Sequence, residues 1–197
     1  MRAVIAGVLA LVSPIVAGVA FGQTAYSVEL LRCEYLSNPL GIDVEKPRLS
    51  WVLTAGPRGR QQGAYQVLVA SSPAGLQQNH GDLWDSGKTS SPQTTFVTYG
   101  GRPLTTGTRV WWKVRAWDGQ GRVTPWSQPA WWSMGVLHDS EWQGRWIGLA
   151  RPADVKEGVP LPSPWLRKTF TLEQKPQRGT AYVNALGYYE LYGCPLR

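Results

Sequence analysis

Aromatic and basic side chains alternate along one stretch of the chain, residues 103–135. Trp111, Lys113, Arg115 and Trp117 occupy every second position, and Trp131 follows beyond a Gly-containing turn. Alternate side chains of a strand point to opposite faces, so these five residues share the outer face of a predicted hairpin. Three interpretations remain open for this face: a platform on which sugar rings stack, a cation–π ladder, or a patch that is buried against another domain.

The carboxylates and serines lack the context that hydrolysis requires. Inverting glycosidases hold two carboxylates about 6.5–9.5 Å apart across the sugar, whereas most Asp and Glu residues in the second half of this chain lie in predicted turns and linkers. No serine lies in a nucleophile-elbow motif, and His80 and His138 are in predicted loops. We therefore predict no catalytic residue in this chain.

Two cysteines and two distant histidines argue against a zinc site, and we predict no metal and no cofactor. Cys33 lies in a predicted strand, and Cys194 lies near the other end of the chain. A buried, free Cys33 is the favoured interpretation. A Cys33–Cys194 disulfide is the alternative, because an exported protein reaches an oxidising environment in which disulfides form.

The inner face of the same hairpin is apolar. Val110, Trp112, Val114 and Ala116 alternate with the outer-face residues, and Asp118 opens the Gly-containing turn. The return strand is predicted to place Ala130, Trp132 and Met134 on one face, opposite Trp131 and Ser133. Because side chains of this size are buried only by a second sheet, the hairpin predicts a sandwich.

Seven short strands are predicted before residue 136, with turn residues between them and no convincing amphipathic helix. This spacing predicts an all-β fold, a fibronectin type III or immunoglobulin-like sandwich over residues 23–136. Trp51 fits the buried Trp of such folds, whereas the tyrosine-corner position holds Val110, so packing alone is expected to hold that end. The predicted strands cover residues 28–35, 48–54, 64–70, 83–87, 94–99, 110–117 and 130–134.

A second β-sandwich is predicted to begin after a linker at residues 137–163. Residues 164–197 contain predicted strands at 165–172 and 180–192, of which the latter breaks at Gly187. Three such strands cannot close a core, so we expect this second domain to be cut off, by a frameshift, a premature stop or a gene-calling error. Within it Tyr189 is expected in the core, and Tyr188 on the opposite face is a candidate interface or carbohydrate residue.

The first 22 residues have the composition of a signal peptide. A basic start precedes an apolar run, and a small-x-small site would leave Gln23 as the first mature residue. We expect an exported protein, periplasmic or extracellular, that meets the membrane only through this leader; a retained anchor helix is the alternative. The formal charge of +7 comes from scattered residues, so nucleic acid is not an expected partner.

Several segments together resemble the N-terminal part of bacterial α-L-rhamnosidases. They are RCEYLSNPLGIDVEKPRLSW (32–51), AYQVLVASSP (64–73), DLWDSGK (82–88) and the hairpin VWWKVRAWD…WSQPAWWSMG. WQGRWIG (142–148), LRKTFTL (166–172) and ALGYYELY (185–192) resemble the β-sandwich that follows in those enzymes. The likeness runs in order from about residue 28 to residue 192.

The resemblance implies large glycoside hydrolases that remove terminal α-L-rhamnose with inversion, using two carboxylates in an (α/α)₆ barrel. No motif of that barrel occurs in this chain. The implied role is that of a non-catalytic accessory region, whose partners would be the catalytic barrel of the parent enzyme and rhamnosylated glycans or glycosides. The resemblance favours an interdomain contact for the outer face of the hairpin. A stand-alone carbohydrate-binding module and a structural interaction module are the competing hypotheses.

Overall fold

The computed structural model describes residues 26–54, 61–148 and 150–192, and it shows two antiparallel sheets packed face to face. One sheet has the order β1-β2-β6, and the other has the order β4-β3-β7-β8, with β5 also paired to β3. The strands are β1 (Ser27–Cys33), β2 (Arg48–Thr54), β3 (Gln62–Ala70), β4 (Trp84–Asp85), β5 (Thr89–Ser90), β6 (Val97–Thr98), β7 (Arg109–Asp118) and β8 (Ala130–Ser133).

The predicted all-β, immunoglobulin-like sandwich is confirmed. Its longest pairing joins β3 to β7, where Val67 lies opposite Val114 and Val69 lies opposite Trp112. The predicted inner face of the hairpin strand is confirmed as well, because its four apolar residues are fully buried. The alternation in the sequence therefore determines which face of β7 enters the core.

Aromatic rings fill the space between the sheets. Trp132 meets Trp112 and Tyr99 edge to face, with ring centroids 6.2 and 5.8 Å apart. Trp51 of β2 is 1% exposed, as expected of the buried Trp in such folds, and its Nε1 donates to Gln62 Oε1 at 3.0 Å. Edge-to-face pairs add to the hydrophobic gain of burying such large side chains, so this cluster contributes strongly to stability.

A tyrosine outside the usual corner position lies near Val110, because its ring contacts Trp132, the residue opposite Val110. Val110 is fully buried, and Tyr99 donates its hydroxyl to the carbonyl oxygen of Arg102 at 2.8 Å. Burial disfavours the charged phenolate and raises the pKa of Tyr99 to about 12. This bond lies within residues 99–102, so the expectation that packing alone holds the end at Val110 stays a prediction.

A short helix that the sequence analysis missed covers part of the outer face of the larger sheet. Helix α1 (Pro73–Gln77) begins after Ser72, whose Oγ accepts a hydrogen bond from the Gly75 N–H at 3.1 Å. Its Leu76 packs on Leu68 and Ala70 of β3. Leu68 alternates with Val67 and Val69 and so lies on the outer face of β3, yet it is buried, because α1 lies over it.

The free edge of β8 is covered by residues 38–42. The Ser133 N–H donates to the Pro39 oxygen at 3.0 Å, and the Ile42 N–H donates to the Ser133 oxygen at 2.9 Å. Asn38 Oδ1 also accepts the Trp131 N–H at 2.9 Å. These bonds use backbone groups that would otherwise be open to another strand.

The strands predicted at 165–172 and 180–192 are not formed. After a 3₁₀ turn at Asp139–Glu141, the described residues from 142 to 192 contain no helix or strand. Their apolar side chains are mostly exposed, because no neighbouring strand within the described chain pairs with them. The limits of the linker and of a second domain stay a prediction. In the described part of the chain, no helix has the length and apolar content needed to cross a membrane.

Candidate functional site: the outer face of the hairpin

The residues predicted to share the outer face of the hairpin do share it. Trp111, Arg115 and Trp117 point away from the core along β7, and Trp131 of β8 lies directly opposite Trp111. All four are half-buried rather than open to solvent. The reason is that each indole and guanidinium on this face already has a neighbour.

Cations cover the indole faces. The Arg109 guanidinium lies 4.0 Å from the centroid of Trp131. Trp117 has the Lys88 ammonium at 4.9 Å and the Arg115 guanidinium at 5.0 Å. Of the three interpretations of the face, the cation–π ladder is the arrangement that the structure contains. The predicted carbohydrate and interdomain roles of these residues stay predictions.

Trp126 is a ladder residue that the sequence analysis missed. The guanidinium of Arg115 lies 4.5 Å from its centroid, and the ammonium of Lys113 lies at 5.0 Å. Trp126 also packs on the small cluster around Leu76. It follows the turn outside any strand, so no alternation pattern could place it.

Lys113 is buried, although the pattern placed it on the outer face. Its Nζ donates to the Leu76 carbonyl oxygen at 2.5 Å and to Asn79 Oδ1 at 2.6 Å. Only 6% of the residue is exposed. Burial and then the nearby Arg115 lower the pKa of Lys113. The lysine therefore fastens the end of α1 to β7, which is a structural role rather than a ligand-binding one.

Arg115 is held by a chain of neutral and acidic groups. Its Nε and Nη2 donate to Gln66 Oε1 at 2.9 and 2.7 Å, and Gln66 Nε2 donates to Asp85 Oδ1 at 2.7 Å. Asp85 Oδ1 also accepts the Gly87 N–H at 2.8 Å. The guanidinium is fixed over two indoles by these bonds, so this part of the ladder is rigid.

Trp111 does not offer a free ring to a ligand. It packs on the cluster formed by Leu68, Ala70 and Leu76, beneath α1. A sugar-stacking platform requires an uncovered ring face, so Trp111 is a poor candidate for that role. Trp117 lines a groove of about 410 Å³ together with Lys88, Ser90 and Asp118, although the Lys88 ammonium and the Arg115 guanidinium already lie over its ring.

The turn at Asp118 is built as the sequence predicts. One carboxylate oxygen of Asp118 accepts the N–H groups of Gln120 and Arg122, each at 3.0 Å, and the other accepts Arg122 Nε at 2.8 Å. Burial by itself would raise the pKa of Asp118, but these hydrogen bonds lower it below its ordinary value. The carboxylate is fully used in shaping the turn and is not poised as a general acid.

Tyr188 lies on the open surface of the chain. It is 90% exposed, and its hydroxyl donates to Glu190 Oε1 at 2.8 Å, while Tyr192 bonds the other oxygen of the same carboxylate. The prediction that Tyr189 lies in a core was wrong: 51% of it is exposed, because the sheet that would have buried it is not formed.

Cys33 is buried, as predicted, and burial followed by the charge of Glu34 raises the pKa of its thiol to about 12. Such a thiol is unreactive. Cys194 lies outside the described residues. Within those residues, no group of three or more His, Cys, Asp or Glu side chains is placed to hold a metal ion.

The two packed sheets and the apolar core between them define the class of protein, an immunoglobulin-like β-sandwich domain. The sequence model of the Rha78A-like, N-terminal immunoglobulin domain matches residues 28–138. The chain belongs to this family.

The similar proteins are much longer than this chain. An α-L-rhamnosidase of Streptomyces avermitilis is 39% identical over 173 residues, which cover 79% of this chain and 17% of that protein. One from Formosa agariphila is 34% identical over 187 residues, covering 86% of this chain and 20% of its own length.

The crystal structure of Streptomyces avermitilis α-L-rhamnosidase complexed with L-rhamnose matches with a TM-score of 0.61 and 45% identity. The match covers 64% of this chain and 12% of that one. The chain therefore spans a fifth or less of the length of these relatives and corresponds to their N-terminal region.

Proposed function

We propose that this chain serves as the N-terminal accessory β-sandwich of an α-L-rhamnosidase, a glycoside hydrolase that removes terminal α-L-rhamnose from glycans or glycosides. The observation that carries the proposal is the family match over residues 28–138, together with the 45% identity of the superposed Streptomyces avermitilis enzyme. The accessory domain contributes no catalytic group; its role is to support the part of the enzyme that holds the catalytic carboxylates.

Three of the described carboxylates fit this division of labour, because protein groups already engage each of them. Asp118 and Asp85 are engaged by hydrogen bonds within their own turns. Glu34 is paired with Arg48 at 2.6 Å. An inverting hydrolase needs two carboxylates free to face a sugar and a water molecule, and these three are bound to protein groups instead.

Two assays with p-nitrophenyl α-L-rhamnopyranoside test the proposal. The chain alone is expected to release no p-nitrophenol above the buffer rate, while the Streptomyces avermitilis enzyme does. Replacing the corresponding N-terminal region of that enzyme with residues 26–192 of this chain is expected to retain hydrolysis, which deletion of the region lowers. Hydrolysis by the chain alone, or a chimera no better than the deletion, would contradict the proposed role.

Carbohydrate binding by the sandwich itself is the second candidate function, and the groove beside Trp117 is the observation that favours it. Saturable binding of L-rhamnose or a rhamnosylated glycan, measured by titration calorimetry and abolished by Trp117→Ala, would establish it. Flat titrations with the folded chain would remove it. Trp111→Ala is a poorer probe, because Trp111 also packs beneath α1.

We further propose that the protein is exported, with residues 1–22 removed as a signal peptide. The basic start, the apolar run and the small-x-small site support this. Mass spectrometry of the protein recovered outside the cytoplasm is expected to show Gln23 as the first residue. Recovery of the full-length chain in the cytoplasm would contradict it.

A further inference from the structure

A second aromatic cluster lies on the outer side of the smaller sheet, far from the ladder in sequence. The rings of Tyr35 and Phe96 meet edge to face at 5.1 Å, yet Tyr35 is 58% exposed and Phe96 is 41% exposed. The Arg48 guanidinium lies 5.8 Å from the first ring and 5.4 Å from the second. Leu36, 56% exposed, adjoins Tyr35 in sequence. We refer to these four residues as the Tyr35–Phe96 surface.

The charge of this surface is neutralised from within. Arg48 Nη2 lies 2.6 Å from Glu34 Oε2, and Nε contacts both carboxylate oxygens, at 3.1 and 3.2 Å. The Arg48 N–H donates to Glu34 Oε1 at 2.6 Å as well. The side-chain hydrogen bond from Arg48 is the main reason that the pKa of Glu34 is lowered. The ion pair is thus fixed and ionised. Because the two charges cancel, the Tyr35–Phe96 surface together with Glu34 carries no net charge.

The backbone beneath Tyr35 adopts a conformation that its residue types disfavour. Residues 33 and 36 exchange two backbone hydrogen bonds of 2.9 Å, and Glu34 and Tyr35 between them have φ of 47° and 65°. A two-residue hairpin turn with positive φ at both central positions is normally made by Asn-Gly. An aromatic residue in the left-handed region is costly for folding, and such strain concentrates at functional sites.

Phe96 shows the same feature on the other side of the pair. Its φ is 57°, and its N–H donates to Ser50 Oγ at 3.1 Å. Gln93 Nε2 holds the carbonyl oxygens of Thr95 and Phe96 at 2.8 and 3.1 Å. Two segments that are distant in sequence therefore each hold an exposed aromatic residue at a positive φ. Glycine would adopt this backbone conformation at a lower cost.

From this arrangement we infer that the Tyr35–Phe96 surface is the face on which this domain docks against the rest of an α-L-rhamnosidase polypeptide. The inference rests on the proposed function. Rigid, exposed aromatic residues with an arginine among them are the composition of protein-binding hot spots. The partner is an uncharged, apolar protein surface, because Glu34 already neutralises Arg48.

Two further observations favour the rest of an α-L-rhamnosidase polypeptide as the partner of this surface. The matched region makes up only 17–20% of the relatives, so most of such an enzyme lies outside it and is available to contact the domain. The aromatic rings of the other sheet are already covered by their own cations and by α1, whereas Tyr35 and Phe96 are covered by little except each other and Arg48.

Binding in trans tests the inference. The probe is the Streptomyces avermitilis α-L-rhamnosidase from which the N-terminal region matching this chain has been deleted, titrated with the full chain in a calorimeter. Tyr35→Gly and Phe96→Gly remove the rings while supplying the residue that positive φ favours. Each is expected to weaken binding at least tenfold, with a thermal midpoint equal to or above that of the original chain. Trp117→Ala is the matched control, because it removes an aromatic ring from the outer face of the hairpin instead. This variant is expected to bind with unchanged Kd.

Three results would overturn the inference: no binding by the original chain, unchanged Kd for both glycine variants, or loss of binding in Trp117→Ala alone. The last result would move the docking face to the ladder and leave the proposed function intact. The proposed function itself is decided separately, by the rhamnoside hydrolysis of the chimeric enzyme.

Discussion

The sandwich and the segment from 142 to 192 are both rich in large apolar side chains, but they place them in opposite environments. Trp112 and Trp132 of the sandwich are fully buried. Trp165 and Leu186 of the following segment are 92% and 91% exposed. Apolar composition alone is therefore not enough for burial.

The difference lies in strand partners. Trp112 lies on β7, which pairs with β3 on one side and with β8 on the other, and a second sheet covers its inner face. The described residues after 142 have neither a paired strand nor a covering sheet. A strand alone cannot satisfy its backbone groups or bury its apolar face, so the same kinds of residue stay exposed.

The largest expected effect is on the core of the sandwich. Trp132→Ala is expected to lower the free energy of unfolding by about 3–5 kcal/mol, since it empties the centre of the aromatic cluster. The neighbouring Trp131→Ala, on the outer face, is expected to cost about 1 kcal/mol or less. Urea unfolding measures both. Equal costs would mean that the two faces of the hairpin do not differ as described.

A smaller effect is expected where α1 is fastened to the sheet. Lys113→Ala leaves the Leu76 carbonyl and Asn79 without their donor, at a cost of about 1–3 kcal/mol. Lys88→Ala is the matched control, because Lys88 is exposed and its ammonium only covers Trp117. The control is expected to stay within about 0.5 kcal/mol of the original chain in the same urea titration. A Lys113 variant as stable as the control would show that α1 needs no anchor.

We expect the free energy of unfolding of the sandwich to depend on pH in the acid range, because of Asp118 in the turn after β7. Because hydrogen bonds lower the pKa of Asp118 in the folded state, its contribution is fully present above its unfolded value of about 3.9. That contribution is lost as the pH falls through the lowered folded value. Asp118→Asn is expected to be less stable at neutral pH and to flatten the stability profile below pH ~4. An unchanged profile would exclude Asp118 as its source.

The smallest effect is expected from removing the unpaired segment. A chain ending at residue 144 keeps Leu137, which packs on the core, and the 3₁₀ turn. Its free energy of unfolding is expected to match that of the full chain within about 0.5 kcal/mol. A large loss of stability on truncation would mean that residues after 144 are part of the sandwich.

The sequence predicted the elements that follow a repeating pattern. The alternation of Val110, Trp112 and Val114 specified the buried face and the need for a second sheet, and the Gly-containing turn predicted the pairing with the return strand. Helix α1 was missed because its five residues bury a single side chain, Leu76, and so carry no helical period. The burial of Lys113 follows from the position of α1 above it, which no pattern within β7 encodes.

The cation–π contacts on the outer face of the hairpin could be predicted only in part. The alternation brought Trp111, Arg115 and Trp117 to one face, but Trp126 and Lys88 reach that face from loops. The left-handed turn at Tyr35 was missed because Glu-Tyr is not a residue pair that predicts such a turn. Its geometry depends on Arg48 and Phe96, which are distant in sequence.

Hydrogen exchange followed by mass spectrometry compares the two regions most directly. Amides of β3 and β7 are expected to exchange only when the sandwich unfolds globally, because the backbone hydrogen bonds that join the two strands lie between buried faces. Amides from 150 to 192 are expected to exchange at nearly the rate of an unfolded peptide in the same experiment. Equal protection of the two regions would contradict the conclusion that, among the described residues, only the sandwich closes a core of its own.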